Sequence, residues 1–222
     1  MQHKLLIANW KANPSTLEEA RALFEAENKP GVVICPPAVY IAELRASGSQ
    51  DVFWESGAHT GQLSPDMLKQ FGVTHVLVGH SERRAVGETD EMINKKIKAL
   101  LASDITPVLL IGEIDQLTRD LNGVSADDAQ KILFTYEPAW AISTNPNAHP
   151  STPKNAVSTI HEMQSILDKM YKFKPAMLYG GSVNVSNIAD FLKHPEISGA
   201  VVGGASLRAD EFKKMIEIAS KL

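Results

Sequence analysis

A glutamate closes the run Leu133-Phe134-Thr135-Tyr136-Glu137-Pro138-Ala139-Trp140-Ala141-Ile142, which is otherwise largely apolar and aromatic and reads as a strand. A carboxylate kept half dry at a strand end has its charged form disfavoured, which raises its proton affinity toward that of a working base. The proline behind it stops the strand. Small residues around one tryptophan then offer a loop that can close and keep water away.

The groups such a base would need stand at similar places. In Gly79-His80-Ser81-Glu82-Arg83-Arg84 a histidine follows a glycine at the start of a helical turn, where the positive helix end holds an imidazole neutral. A neutral imidazole can donate a hydrogen bond to a carbonyl; the competing reading for any isolated histidine is a structural one. Glu82 and Arg83 read as supporting ion-pair partners. Asn9-Trp10-Lys11 ends the first strand, and a lysine beside a buried strand end is costly unless its charge meets an anion; the alternative is a lysine that snorkels to the surface. Two glycine pairs, Gly180-Gly181 before Ser182 and Gly203-Gly204, let backbone N–H groups approach a ligand closely, as phosphate sites require.

Short apolar runs that read as strands position these residues: Leu5–Asn9, Val32–Cys35, Val52–Glu55, Val76–Gly79, Pro107–Ile111, Leu133–Glu137, Ala176–Gly180 and Ala200–Gly203. Most are continuous rather than alternating, as expected of parallel strands covered on both faces. Amphipathic helices lie between them. Ser15-Thr16-Leu17-Glu18 fits a capping box and Thr152-Pro153 a capped start with a first-turn proline. Ile93, Ile97, Leu100 and Leu101 form one helical face, and Phe212, Met215, Ile216 and Ala219 another. The rhythm predicts an α/β chain forming one (β/α)8 barrel domain over residues 1–222, whose active site lies at the carboxyl ends of the strands. A doubly wound open sheet gives a similar rhythm. Two sectors are thin. Residues 35–57 hold only one short helix and a strand. Residues 113–132 hold a helical start at Gln116–Leu121, broken at Asn122-Gly123, and a brief helix at Ala126–Lys131.

Composition bounds the partners. With 222 residues, 44% of them apolar, the chain can bury one sizeable core, and a net charge of −4 argues against nucleic acid or an anionic membrane as partner. The single cysteine, Cys35, excludes a disulfide framework and fits a reducing, cytoplasmic setting. The histidines are scattered, without the spacing of a metal site.

Read together, Asn9-Trp10-Lys11, Cys35-Pro36-Pro37, Gly57-Ala58-His59-Thr60-Gly61, Gly79-His80-Ser81-Glu82-Arg83-Arg84, Tyr136-Glu137-Pro138, Tyr179-Gly180-Gly181-Ser182 and Gly203-Gly204-Ala205-Ser206-Leu207 resemble, in order, the motifs of the triosephosphate isomerases. The resemblance implies a TIM barrel, here shortened, with outer helices near strands 3 and 5 trimmed. It implies interconversion of dihydroxyacetone phosphate and D-glyceraldehyde 3-phosphate through an enediolate, without a cofactor. Glu137 would be the base and His80 the electrophile, a pairing that is the family's own. Lys11 would offset negative charge, with Asn9 beside it and Glu82 in support. Ser143, Ser182, Gly203 and Gly204 would offer backbone N–H groups to the phosphate. A homodimer is implied through the loop Gly57–Pro65, with Thr60 nearest the partner's Asn9.

Three departures stand out. The family's Ala-Gln-Asn signature near strand 3 is read here as Asp51-Val52-Phe53-Trp54-Glu55-Ser56. Leu110 replaces the usual cysteine before Ile111-Gly112-Glu113. The lid reads Ile142-Ser143-Thr144-Asn145, lacks two glycines, and runs on through Pro146 and Pro150, which implies altered opening kinetics with unchanged chemistry. The alternatives are a catalytically silent barrel that binds phosphate ligands or serves as a scaffold, and an aldolase-type barrel enzyme, which would need a Schiff-base lysine inside the barrel.

Overall fold

The computed structural model describes residues 4–141 and 151–222. Its first half runs β1 (Leu5–Asn9), α1 (Leu17–Glu27), β2 (Val32–Cys35), α2 (Ala38–Leu44), β3 (Gly48–Ser49), α3 (Pro65–Gln70), β4 (His75–Val78), α4 (Ser81–Ala85) and α5 (Asp90–Ala102). The second half runs β5 (Thr106–Ile111), α6 (Gln116–Asp120), α7 (Ala126–Ala129), β6 (Leu133–Tyr136), α8 (Pro153–Tyr171), β7 (Met177–Tyr179), α9 (Ile188–Leu192), β8 (Ile197–Val202) and α10 (Ala209–Ala219). The eight strands form one parallel sheet in the order β2-β1-β8-β7-β6-β5-β4-β3, so β1 joins β8 and the sheet curls into a nearly closed (β/α)8 barrel. None of the described helices is long and apolar enough to cross a membrane.

Strand side chains alternate between two cores. One set (Ile7, Val33, Cys35, Leu77, Val108, Leu110, Leu178 and Val201) packs together inside the barrel. The other set, including Leu6, Val76, Leu109, Phe134 and Met177, packs outward under the helices. The helical faces predicted from periodicity lie there: Ile93, Ile97, Leu100 and Leu101 are buried on α5, and Phe212, Met215 and Ala219 on α10, with Ile216 half-buried. Thr135 stands on the inner side of β6, two residues before Glu137; it is fully buried and its hydroxyl meets no partner. Following the inner set by twos leads to Asn9, Gly79, Glu137, Gly180 and Gly203, so the same alternation that fills the barrel aims these residues at its mouth.

Two expectations are corrected. The third strand is Gly48–Ser49, paired with His75 and Val76, and Val52–Glu55 is not a strand. The apolar residues of that stretch are used otherwise: Phe53 stacks on Trp54 at 3.9 Å, and Lys95 lies over the Trp54 ring. The capping box sits one residue later than predicted, with Thr16 as cap and Glu19 reaching back to the Thr16 N–H, because α1 begins at Leu17. The Thr152 cap before Pro153 is as expected.

The thin sectors are held by charge as well as by apolar packing. Behind β3, Lys96 of α5 is almost fully buried and lies 2.5 Å from both Asp51 and Glu88, while Arg83 contacts the same two carboxylates at 3.0 and 2.7 Å. After β5, α6 and α7 are single short helices, as the break at Asn122-Gly123 predicts, and Asn94 of α5 donates to the Asp120 and Asn122 carbonyls.

β3 approaches β2 so closely that only a glycine fits at its start. A Cβ on Gly48 would lie 2.7 Å from the Ile34 carbonyl oxygen and 2.5 Å from Cys35 Sγ. Gly48→Ala is expected to lower stability by roughly 3 kcal/mol, since overfilling a packed site displaces backbone rather than a flexible chain end. The midpoint of urea unfolding measures this, and an unchanged midpoint would show that β3 does not bear on β2 in this way.

Candidate active site

Glu137 follows the last residue of β6, and its N–H donates to the Ile111 carbonyl at 2.8 Å, prolonging the β5–β6 ladder by one rung. The side chain therefore emerges inside the barrel mouth, and only 3% of the residue is exposed. Its Oε2 accepts from the Ser81 N–H at 3.0 Å, and Oε1 lies 3.2 Å from His80 Nε2. Burial, partly offset by the Ser81 donor and by Lys11, pushes the carboxyl up to about 7.

His80 caps α4, and its Nδ1 accepts from the Glu82 N–H at 3.0 Å. An imidazole accepting at Nδ1 carries its proton on Nε2, the nitrogen that faces Glu137. Burial lowers the pKa of His80 to about 4, with Lys11 adding to the effect and Glu82 opposing it. At neutral pH the ring is an uncharged donor facing a poised carboxylate. The sequence reading of a neutral imidazole at a helix start fits this geometry; the specific agent is one backbone N–H at Nδ1, together with burial.

Lys11 has a left-handed backbone, φ 54°, unusual outside glycine. Side chains stabilise it from both ends. Asn9 Oδ1 accepts its N–H at 3.1 Å, and Gln50 Nε2 donates to its carbonyl at 2.7 Å and to that of Cys35 at 2.9 Å. The Lys11 ammonium lies 2.6 Å from Glu82 Oε1, and its Cε lies 3.5 Å from where a Cβ on Gly203 would stand.

A cavity of about 220 Å³ joins Asn9, Lys11, His80, Glu137, Ser182 and the loop Gly203-Gly204. The structure thus brings together every site residue read from the sequence except Ser143, which lies outside the described residues, and Glu82, which reaches the site through Lys11 and His80. One commitment differs from expectation. The Ser182 N–H donates to the Ala141 carbonyl at 2.9 Å and its hydroxyl to the same oxygen at 2.7 Å, so Ser182 must exchange partners to offer its N–H to an anion. Sequence reasoning missed three contributors. Gln50 was hidden by the misplaced third strand, the Ser81 N–H is backbone, and Arg208 lines the glycine-pair side of the cavity with a cation. Among the described residues, no group of three or more His, Cys, Asp or Glu side chains converges as a metal ion would need.

Residues 4–219 match the sequence profile of the Triosephosphate isomerase family. The chain belongs to the triosephosphate isomerase family. Relatives named Triosephosphate isomerase align along nearly their whole length. The one from Caldanaerobacter subterraneus subsp. tengcongensis is 38% identical over 97% of this chain and 99% of its own. That from Roseiflexus sp. strain RS-1 is 39% identical over 97% of each. That from Dictyoglomus turgidum is 36% identical over 96% of this chain and 98% of its own. Each alignment is longer than the chain itself, so the triosephosphate isomerase relatives carry segments that are absent here. The chain is an isomerase, and nothing in these matches favours a silent scaffold.

The burial of Glu137 has a thermodynamic consequence. A folded-state pKa raised to about 7 from 4.5 means the native state favours the protonated acid. Stability from this source is full below about 4.5 and is lost as pH rises through about 7. Glu137→Gln, which does not ionise, is expected to exceed the parent in stability by roughly 1–3 kcal/mol at pH 8 and to lose that advantage by pH 4. Paired urea melts at the two pH values measure the difference; equal gaps at both would contradict the burial of an ionisable base.

Proposed function

We propose that this isomerase interconverts dihydroxyacetone phosphate and D-glyceraldehyde 3-phosphate through an enediolate, with Glu137 as the base and His80 as the electrophile. The observation that carries the assignment is the facing pair itself: a buried carboxylate raised to about 7 and a neutral imidazole 3.2 Å away, above a glycine-lined, cationic cavity.

The chemistry follows from the groups. Glu137 releases Ser81 and His80, takes a proton from the carbon beside the carbonyl, and returns it to the adjacent carbon. The electron pair from the C–H bond moves onto the carbonyl oxygen, where the Nε2–H of His80 meets the developing charge. A neutral donor suits this, because it stabilises the oxyanion and can also exchange a proton between the two oxygens. Lys11 offsets the charge of substrate and intermediate, Asn9 fixes the backbone of Lys11, and Glu82 holds the ammonium near the site. Gly203, Gly204, Ser182 and Ser143 supply N–H groups to the phosphate, with Arg208 adding positive charge on that side. No cofactor is needed, since proton and electrons stay within the substrate and these side chains.

A coupled assay of triose phosphate interconversion tests the reading. Glu137→Asp withdraws the carboxylate by about one methylene, and a misplacement near 1 Å costs on the order of a hundredfold in kcat. Inhibition by inorganic phosphate should stay within twofold. Wild-type turnover in that variant would remove Glu137 from the role.

The assembly proposed is a homodimer through Gly57–Pro65, in a cytoplasmic setting, with no nucleic-acid or membrane partner. Support comes from a second cavity of about 550 Å³ beside Lys11, lined in part by Gly61, Gln62 and Leu63. The exposed apolar side chains Val39 and Val86, 80% and 74% accessible, lie by its Ala38 and Val86 rim. Sedimentation equilibrium should return twice the chain mass, and Thr60→Arg should shift it toward the monomer with lowered kcat. A fully active monomer would overturn the assembly.

A further inference from the structure

His80 is delivered by a peptide under unusual constraint. Gly79 has φ +80°, and a Cβ there would lie 2.9 Å from the Leu110 carbonyl oxygen. The helix that follows has only five residues, and its first backbone bonds, from the Arg83 and Arg84 N–H groups, hold the His80 carbonyl, one peptide further on. What grips the Gly79–His80 peptide is Arg84, whose Nε donates to the Gly79 carbonyl at 3.1 Å. That carbonyl and the His80 N–H lie in one rigid plane, so fixing the oxygen fixes the direction in which His80 leaves the strand.

Arg84 is itself held at both remaining nitrogens. Nη1 meets Asp90 at the start of α5, at 2.5 Å, and Nη2 meets Asp120 at the end of α6, at 2.6 Å. Asp120 is wholly buried and Asp90 also binds Arg119, so neither carboxylate can follow Arg84 elsewhere. A planar guanidinium satisfied on three sides is a fixed strut. Asp120 belongs to the sector after β5 in which the chain is short, so that sector still performs a task for the site.

We propose that Arg84, anchored by Asp120, is a positioning residue for His80: it sets the peptide that aims the imidazole and so keeps Nδ1 on the Glu82 N–H and Nε2–H toward Glu137. The effect on turnover rests on the reading of His80 as electrophile; the effect on the ring does not. The groups facing the ring are Glu137 from β6, Lys11 from the end of β1 and Glu82 from α4. None of the three is itself substituted when Arg84 or Asp120 is changed.

The test uses the full chain with Arg84→Lys, whose single ammonium cannot meet Gly79, Asp90 and Asp120 together, and Asp120→Ala, which removes the anchor. The readouts are the imidazole titration of His80 by 15N NMR and steady-state turnover of triose phosphate. In both variants the midpoint is expected to rise from about 4 toward the ordinary 6.5. Turnover is expected to fall at least fivefold, with KM and inhibition by inorganic phosphate within twofold. A lower Tm with an unmoved titration marks a purely structural ion pair and overturns the proposal. A moved titration with unmoved turnover upholds the strut and removes His80 from the chemistry instead. Should Arg84→Lys not fold, the titration in Asp120→Ala decides alone.

Discussion

The site depends on one close contact, between the neutral imidazole of His80 and the carboxylate of Glu137, 3.2 Å apart and kept away from water. Charge on the imidazole would make the pair a salt bridge, stabilise the carboxylate and lower its basicity. Water would do the same by solvation. The fold meets both requirements with backbone groups. The Glu82 N–H occupies Nδ1, the Ser81 N–H gives the resting carboxylate a second donor, and the ends of β6, β7 and β8 close round it. Burial carries the two proton affinities past each other, Glu137 from 4.5 up to about 7 and His80 from 6.5 down to about 4. The carboxyl therefore takes a proton more readily than the imidazole, so Glu137 can act as the base while the ring stays a neutral donor.

Much of this was legible in the sequence because a parallel barrel places its chemistry by simple rules. Continuous apolar runs mark strands covered on both faces, and a polar residue at the end of such a run has one place to go. That logic located Asn9, Lys11, His80, Glu137 and the glycine pairs. It failed at the third strand, where two residues suffice for pairing and neither is strongly apolar, while Val52, Phe53 and Trp54 imitate a strand but serve otherwise, Val52 in the core and Phe53 and Trp54 in a local stack. It also failed for Gln50 and Arg84. Both act on backbone carbonyls far away in the chain or set by a turn, and a side chain's reach to a carbonyl leaves no periodic trace in sequence. The commitment of Ser182 to Ala141 is of the same kind.

Charge works beside apolar packing in the thin sectors. Where outer helices are brief, buried ions take part in holding the layers: Lys96 with Asp51, Glu88 and Arg83 behind β3, and Arg84 with Asp90 and Asp120 after β5. Such clusters are strongly directional, and losing one member leaves a desolvated charge behind. Apolar packing tolerates small shifts, whereas these clusters permit few arrangements. They sit directly behind the turn that carries His80 and the segment that carries Gln50.

Thr135 gives the alternation of the strands a different meaning. It stands two residues below Glu137 on the inner side of β6, against the place where a side chain on Gly180 would fall, 3.0 Å from its Cγ2. The strand is thus a short piston with packing at one end and the base at the other. A substitution at Thr135 that repacks the barrel interior therefore also bears on where the carboxylate is seated. In this chain the core and the catalyst draw on the same few positions.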